Sequence, residues 1–163
     1  MKLKFPTIKR IIEEEEPVMV ALVETKLNED DTIEIPGYAI SRADRTEDGG
    51  GALFAIKKTF SNISVCTKEY KKHGAEIVWV KIDNSQTKLK IGVVYMPQEC
   101  RTRKTILEAI YKDIEEEIQD AAENGFKLLL VRDLNCKVGA VIKGNKEKVT
   151  KGGRILLKMT MKQ

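Results

Sequence analysis

The sequence predicts one α/β domain spanning residues 1–163, with a largely antiparallel middle and helices outside stacked sheets. Three observations carry that expectation. Residues 18–23 (VMVALV) and 127–131 (KLLLV) are runs too short for helices and apolar enough for strands covered on both faces. Residues 76–82 (EIVWVKI) and 89–95 (LKIGVVY) are β-rich and joined by a short polar connector with hairpin chemistry, which predicts adjacent antiparallel strands. Residues 102–123 place Ile106, Leu107, Ile110, Ile114 and Ile118 at helical spacing.

Each element has a local reason. Ile8, Ile11 and Ile12 recur at helical intervals between Pro6, suited to a first turn, and Pro17, which cannot continue a helix, so residues 6–15 read as a short helix. The apolar run 18–23 then ends abruptly at Glu24. After Pro36-Gly37 a strand is expected around residues 38–42, then a charged loop closing in Gly49-Gly50-Gly51, then a strand over 52–57 (ALFAIK). Asn124-Gly125 stops the long helix. The strand 127–131 runs into the polar cluster Arg132-Asp133-Leu134-Asn135, and Ile155, Leu156, Leu157 and Met159 suggest a final short helix.

Composition limits the function. Hydrophobic residues at 42% and charged residues at 33% give a globular balance, which excludes a disordered or collagen-like chain. The net charge of +4 permits a polyanionic partner without requiring one. The longest apolar run falls far short of the roughly 20 residues that cross a bilayer, and MKLKFPTIKR lacks a signal-peptide segment. An intracellular protein, nuclear or cytoplasmic and with no membrane association, is therefore expected. Cys66, Cys100 and Cys136 are odd in number and widely spaced, so reduced thiols are expected. With His73 as its one histidine the chain cannot build a histidine-rich centre, and any metal would be a hard ion such as Mg²⁺ or Mn²⁺ held by carboxylates.

Two apolar strands each deliver a carboxylate at the C-terminal end, Glu24 and Asp133. If these ends meet, the two acids and water could hold a divalent cation. Asn135 would point to the same side as Asp133 in extended chain, where it could bind a phosphate or orient a water. Tyr95 closes a strand similarly and could donate to a developing oxyanion. Strands also end in polar residues for ordinary reasons, and spacing leaves both readings open.

Taken together, VALVETKL, GGGALFAI, EIVWVKI, GVVYMP and LLLVRDLNCKVG resemble, in content and order, the endonuclease/exonuclease/phosphatase superfamily, and most of all the endonuclease domain of non-LTR (LINE-type) retrotransposons. The resemblance runs from about residue 6 to 158. It implies a DNase I-like four-layer α/β sandwich of largely antiparallel sheets flanked by helices, with the site at one end. It implies that Glu24 binds metal, that Tyr95 contacts the scissile phosphate, that Asp133 activates the attacking water and that Asn135 orients it. The activity implied is Mg²⁺- or Mn²⁺-dependent phosphodiester hydrolysis on nucleic acid, DNA ahead of RNA.

Departures from the family set further expectations. The family's asparagine-bearing first strand and its closing Ser-Asp-His strands have no counterpart here, and His73 is not the family's histidine because it precedes EIVWVKI. Arg132 stands where the family has glycine, so the backbone freedom or close approach of glycine is lost or replaced. Metal binding is therefore expected to outlast efficient catalysis. Uncovered sheet edges predict a homodimer formed by edge pairing or segment exchange. The alternative is a catalytically inactive fragment that serves as a binding or self-associating module.

Arg42, Arg45, Lys57 and Lys58, with Arg101, Arg103 and Lys104, could form a basic rim along a nucleic-acid backbone or a solvated surface. Residues 143–151 (KGNKEKVTK) read as surface loop, the triple glycine as a turn entering a strand, and Trp79 as core packing.

Overall fold

The computed structural model describes residues 5–44, 50–60, 63–70, 75–84, 87–96, 104–135, 141–142 and 145–146. Cys100, Cys136, His73, Arg45, Arg101, Arg103, the side chains of Cys66 and Lys104, and the final helix expected near residues 155–159 lie outside what is described, as does most of 143–151.

Helix α1 (Phe5–Glu15) turns Ile12 into the core, and Glu16 closes it with φ 44 and an N–H donated to the Ile12 carbonyl at 3.0 Å. Strands β1 (Met19–Val23), β2 (Tyr38–Ala43) and β3 (Ala52–Lys57) form an antiparallel sheet in the order β1-β3-β2. Strands β4 (Ile63–Tyr70), β5 (Ala75–Asp83), β6 (Lys88–Tyr95) and β7 (Lys127–Asp133) form a second sheet in chain order. β5 and β6 are the expected hairpin, closed by Asn84, whose N–H donates to the Thr87 carbonyl and whose side chain accepts from the Thr87 N–H. β6 and β7 run parallel, which requires a crossover, and α2 (Lys104–Glu123) supplies it. Asn124 and Gly125 end α2 as expected: Gly125 has φ 72, its N–H reaches the Ala122 carbonyl, and the Phe126 N–H reaches the Ala121 carbonyl, a Schellman closure. Strands β8 (Val141–Ile142) and β9 (Asn145–Lys146) pair as a small hairpin.

Three apolar layers hold these elements. Ile12, Leu27, Ile35, Tyr38, Leu53 and Ala55 lie between α1 and the first sheet. Phe54, Ile56, Val78, Val80, Ile91 and Val93 fill the space between the sheets. Ile77, Trp79, Val94, Leu107, Ile110 and Tyr111 join the second sheet to α2. The order helix, sheet, sheet, helix is the four-layer α/β sandwich the motifs predicted.

The structure corrects two strands and adds a third. The apolar runs of β1 and β7 predict cover on both faces; among the described strands both lie at sheet edges, β1 is half-buried throughout and Leu129 of β7 is 47% exposed. Burial on both faces needs a packed layer over each, and at the margin of the stack that cover is incomplete. β4 was not anticipated. Trp79, 3% exposed against α2, is core as expected.

Candidate active site

The site lies where the C-terminal ends of β1, β6 and β7 meet the N-terminal ends of β3 and β5. Strand alternation directs Tyr95 and Asp133 to the inner face of the second sheet, since Val93 and Tyr95 lie on the face opposite Val94 and Met96. The parallel register sets Tyr95 beside Asp133, and the Met96 N–H donates to the Asp133 carbonyl at 2.8 Å. Across the sandwich the Tyr95 hydroxyl donates to Glu24 Oε1 at 2.8 Å. Tyr95 is 5% exposed, so its ring is core and its hydroxyl emerges at the carboxylate. Glu24 and Asp133, 109 positions apart in the chain, thus flank one tyrosine at one end of the molecule.

Backbone conformation fixes Glu24. Glu24 and Lys26 both have φ 55, a left-handed geometry that costs a non-glycine residue on the order of 1 kcal/mol and persists only when its surroundings enforce it. Between them Thr25 is fully buried, while Glu24 and Lys26 are exposed. The Lys26 N–H donates to the Gly50 carbonyl at 2.8 Å and the Thr25 N–H to the Gly51 carbonyl at 3.4 Å. Gly51 has φ 91, and a Cβ there would sit 2.2 Å from Thr25 Oγ1, so only glycine fits. The N–H of Gly51 in turn donates to Glu76 Oε2 at 3.4 Å. Glu76 is 2% exposed and stands in register with Tyr95 across β5 and β6.

Asn135 does not follow the extended-chain expectation. β7 ends at Asp133, and Asn135 has φ 44, with its N–H donated to Asp133 Oδ1 at 2.9 Å in an Asx turn. Its Nδ2 donates to the Met96 carbonyl at 3.0 Å, tying the turn to β6. Arg132 shows neither property attributed to the glycine it replaces: it has no positive φ and its side chain is exposed. Of the residues read as either a basic rim or a solvated surface, the described ones, Arg42, Lys57 and Lys58, do not lie together. Lys57 and Lys58 lie at the far end of β3, with Lys57 paired to Glu16 at 3.2 Å. Arg42 binds Asp44 at 2.9 Å and the Asp31 carbonyl at 2.6 Å, holding the loop after β1.

Sequence reasoning passed over Thr25, Gly51 and Glu76. The available signal was a carboxylate opening an otherwise apolar strand, EIVWV, next to a glycine run. Among the described residues no group of three or more His, Cys, Asp and Glu side chains surrounds a metal-sized position. The donors at this end are all oxygen, and Glu24 is exposed, which suits a Mg²⁺ ion that keeps most of its waters rather than a caged ion. No helix among the described residues is long and apolar enough to cross a membrane.

No protein-family model matches the chain, and no curated protein matches it in sequence. Solved structures do. A truncated Caenorhabditis elegans TDP2 is 15% identical over 87% of this chain and 60% of its own, with a TM-score of 0.63. A Bacteroides thetaiotaomicron mannosyl-6-phosphatase is 11% identical over 87% of this chain and 59% of its own, with a TM-score of 0.54. The catalytic domain of human Nocturnin, with a bound sulfate anion, is 12% identical over 81% of this chain and 56% of its own, with a TM-score of 0.52. The chain spans little more than half the length of these structures. At such identities the likeness is one of architecture: the chain has a DNase I-like fold.

Proposed function

We propose that this chain is a divalent-metal-dependent phosphodiester hydrolase acting on nucleic acid, an endonuclease of the LINE retrotransposon type, with DNA preferred to RNA. The observation that carries the reading is the Tyr95 hydroxyl on the Glu24 carboxylate at 2.8 Å with Asp133 in register beside Tyr95. Three residues that belong to one hydrolytic site by resemblance come from different sheets and distant sequence to a single end. A phosphatase and a sulfate-bound catalytic domain among the fold neighbours support chemistry on a tetrahedral anion.

In this reading Glu24, with water and the oxygens beside it, would hold Mg²⁺ or Mn²⁺. The ion would polarise a phosphoryl oxygen and spread the charge of the pentacovalent transition state. The Tyr95 hydroxyl hydrogen, which rests on Glu24 Oε1 in the free protein, would turn to a non-bridging phosphate oxygen when substrate binds and so leave the Glu24 carboxylate to the metal. Asp133 accepts a proton from the attacking water as its oxygen bonds to phosphorus, and the P–O bond to the leaving group breaks to give an alkoxide that takes a proton from solvent water. Asn135, fixed to the Met96 carbonyl, holds the turn that aims the Asp133 carboxylate.

The test is nicking of supercoiled DNA with Mg²⁺ present or chelated, for the wild type, Glu24→Gln and Asp133→Asn. Metal-dependent nicking that falls about 10²- to 10³-fold in each variant is expected. Identical traces in every lane would leave the second reading, a binding or self-associating module, which the exposure of Leu129 on an edge strand favours. Nuclear or cytoplasmic residence accords with either reading.

A further inference from the structure

We propose that Glu76 is a positioning residue for Glu24: its buried carboxylate holds the Gly50-Gly51 corner, and that corner holds the Thr25-Lys26 backbone from which Glu24 is presented. A carboxylate 2% exposed at the start of an otherwise apolar strand is costly to bury unless bonded, so it has a structural partner to serve. The Gly51 N–H, 3.4 Å from Oε2, is such a partner. Gly51 passes the constraint on at two points. Its carbonyl accepts from the Thr25 N–H, and its missing side chain leaves room for Thr25 Oγ1, a buried hydroxyl oxygen without a hydrogen-bond partner among the described residues. Gly50 adds the shortest bond of the set, accepting from the Lys26 N–H at 2.8 Å.

This arrangement accounts for the fixed presentation of an exposed Glu24. Two left-handed residues bracketing one buried threonine are held by backbone bonds to a glycine pair, and glycine is the residue least able to hold its own conformation. A rigid support is needed beneath it. β5 is a central strand paired on both sides, and Glu76 is its carboxylate facing the corner. Displacement at Glu76 therefore reaches Glu24 through the Gly50-Gly51 corner, and amide exchange at Thr25 and Lys26 reads that path separately from Tyr95, the cross-strand neighbour of Glu76. The inference rests on the proposed role of Glu24 only for its metal-binding arm.

The experiment uses the full chain and compares Glu76→Leu, which removes the acceptor, with Glu76→Gln, which keeps an acceptor oxygen. Amide hydrogen exchange by NMR at Thr25 and Lys26 reads the backbone, and electron paramagnetic resonance with Mn²⁺ alone as the probe reads the site. Exchange at both amides at least tenfold faster in E76L, with Val78 and Val80 amides still protected, and at least tenfold weaker Mn²⁺ binding are expected. E76Q should stay within about threefold of wild type in both. Exchange at Lys26 in E76L equal to wild type overturns the inference. If wild type binds no Mn²⁺ at millimolar concentration, the metal reading of Glu24 falls, and amide exchange still judges Glu76. Should E76L fail to fold, Glu76→Asp, which keeps the charge but shortens the reach, takes its place: faster exchange at Thr25 and Lys26 supports the inference, and exchange equal to wild type overturns it.

Discussion

At Gly92 the space a side chain would need is already filled: a Cβ there would lie 2.4 Å from Trp79 Cζ3 and 2.7 Å from Leu130 Cδ2. Both neighbours belong to the layer under α2, where packing has no slack. Gly92→Ala should therefore cost about 1–3 kcal/mol, read by urea denaturation with Trp79, the chain's one tryptophan, as fluorophore. One position earlier in that facing row, Lys90 is fully buried and bonded to Glu117, to Asp120 and to the Glu117 carbonyl. The Lys90 ammonium on its carboxylate, helped by Lys81, holds the Asp120 pKa down at about 2. A folded-state pKa below the unfolded one contributes stability that is present above about pH 4 and lost as pH falls towards 2. Asp120→Asn should thus be less stable than wild type at pH 7, with the gap closing between about pH 4 and pH 2. The gap should stay under about 1 kcal/mol, because the side chain is 41% exposed and water screens the pair. A gap that is the same at pH 7 and pH 2.5 would remove the ion pair as its cause.

The element that binds these residues together is α2, whose Leu107, Ile110 and Ile114 are buried on the second sheet as their spacing predicts. Ile110→Ala should destabilise by about 2–5 kcal/mol, measured as a lowered urea midpoint with far-UV dichroism retained at zero denaturant. Helices α1 and α2, strand β3 and the β5–β6 hairpin were legible because caps, helical spacing and turn chemistry are local to the segment that carries them. β4 was not: Lys68 and Glu69 interrupt its β-branched residues, and its place depends on β5 beside it. The edge positions of β1 and β7 were equally invisible, since strand order is a property of the whole sheet. At the site, Glu24, Tyr95 and Asp133 could be named from motif content, because each stands at the end of a strand that the sequence marks. The turn at Asn135 and the buried support at Glu76 could not, as both depend on contacts with other strands, Asn135 with Met96 of the β6 end and Glu76 with Gly51.

On the scale of the molecule, the two sheets stack so that β1 and β7, each the edge of its sheet, lie in contact along one flank. Among the described residues that flank combines strand edges that pair with no further strand and exposed apolar side chains, Val18 at 43% and Leu129 at 47%. Edge strands in soluble proteins are normally blunted by charge, proline or a covering segment, and Leu129 is the opposite of such a residue. The proposed homodimer would form here, by pairing of β1 or β7 edges between copies. Leu129→Lys should shift sedimentation equilibrium at micromolar to 100 µM concentrations from dimer to monomer by about tenfold or more in dissociation constant, since a charge at an interface centre must be desolvated. Ile11→Lys is the control, because Ile11 is also 47% exposed but lies on α1, separated from β7 by the first sheet. Equal weakening by both substitutions would mean non-specific apolar contact, and a wild type that sediments as monomer throughout would remove the dimer. Because Leu129 lies four residues before Asp133 on the same strand face, an interface on this flank would run beside the candidate-site end without covering it. L129K should accordingly leave Mg²⁺-dependent nicking per chain within about twofold of wild type, separating self-association from hydrolysis in a single variant.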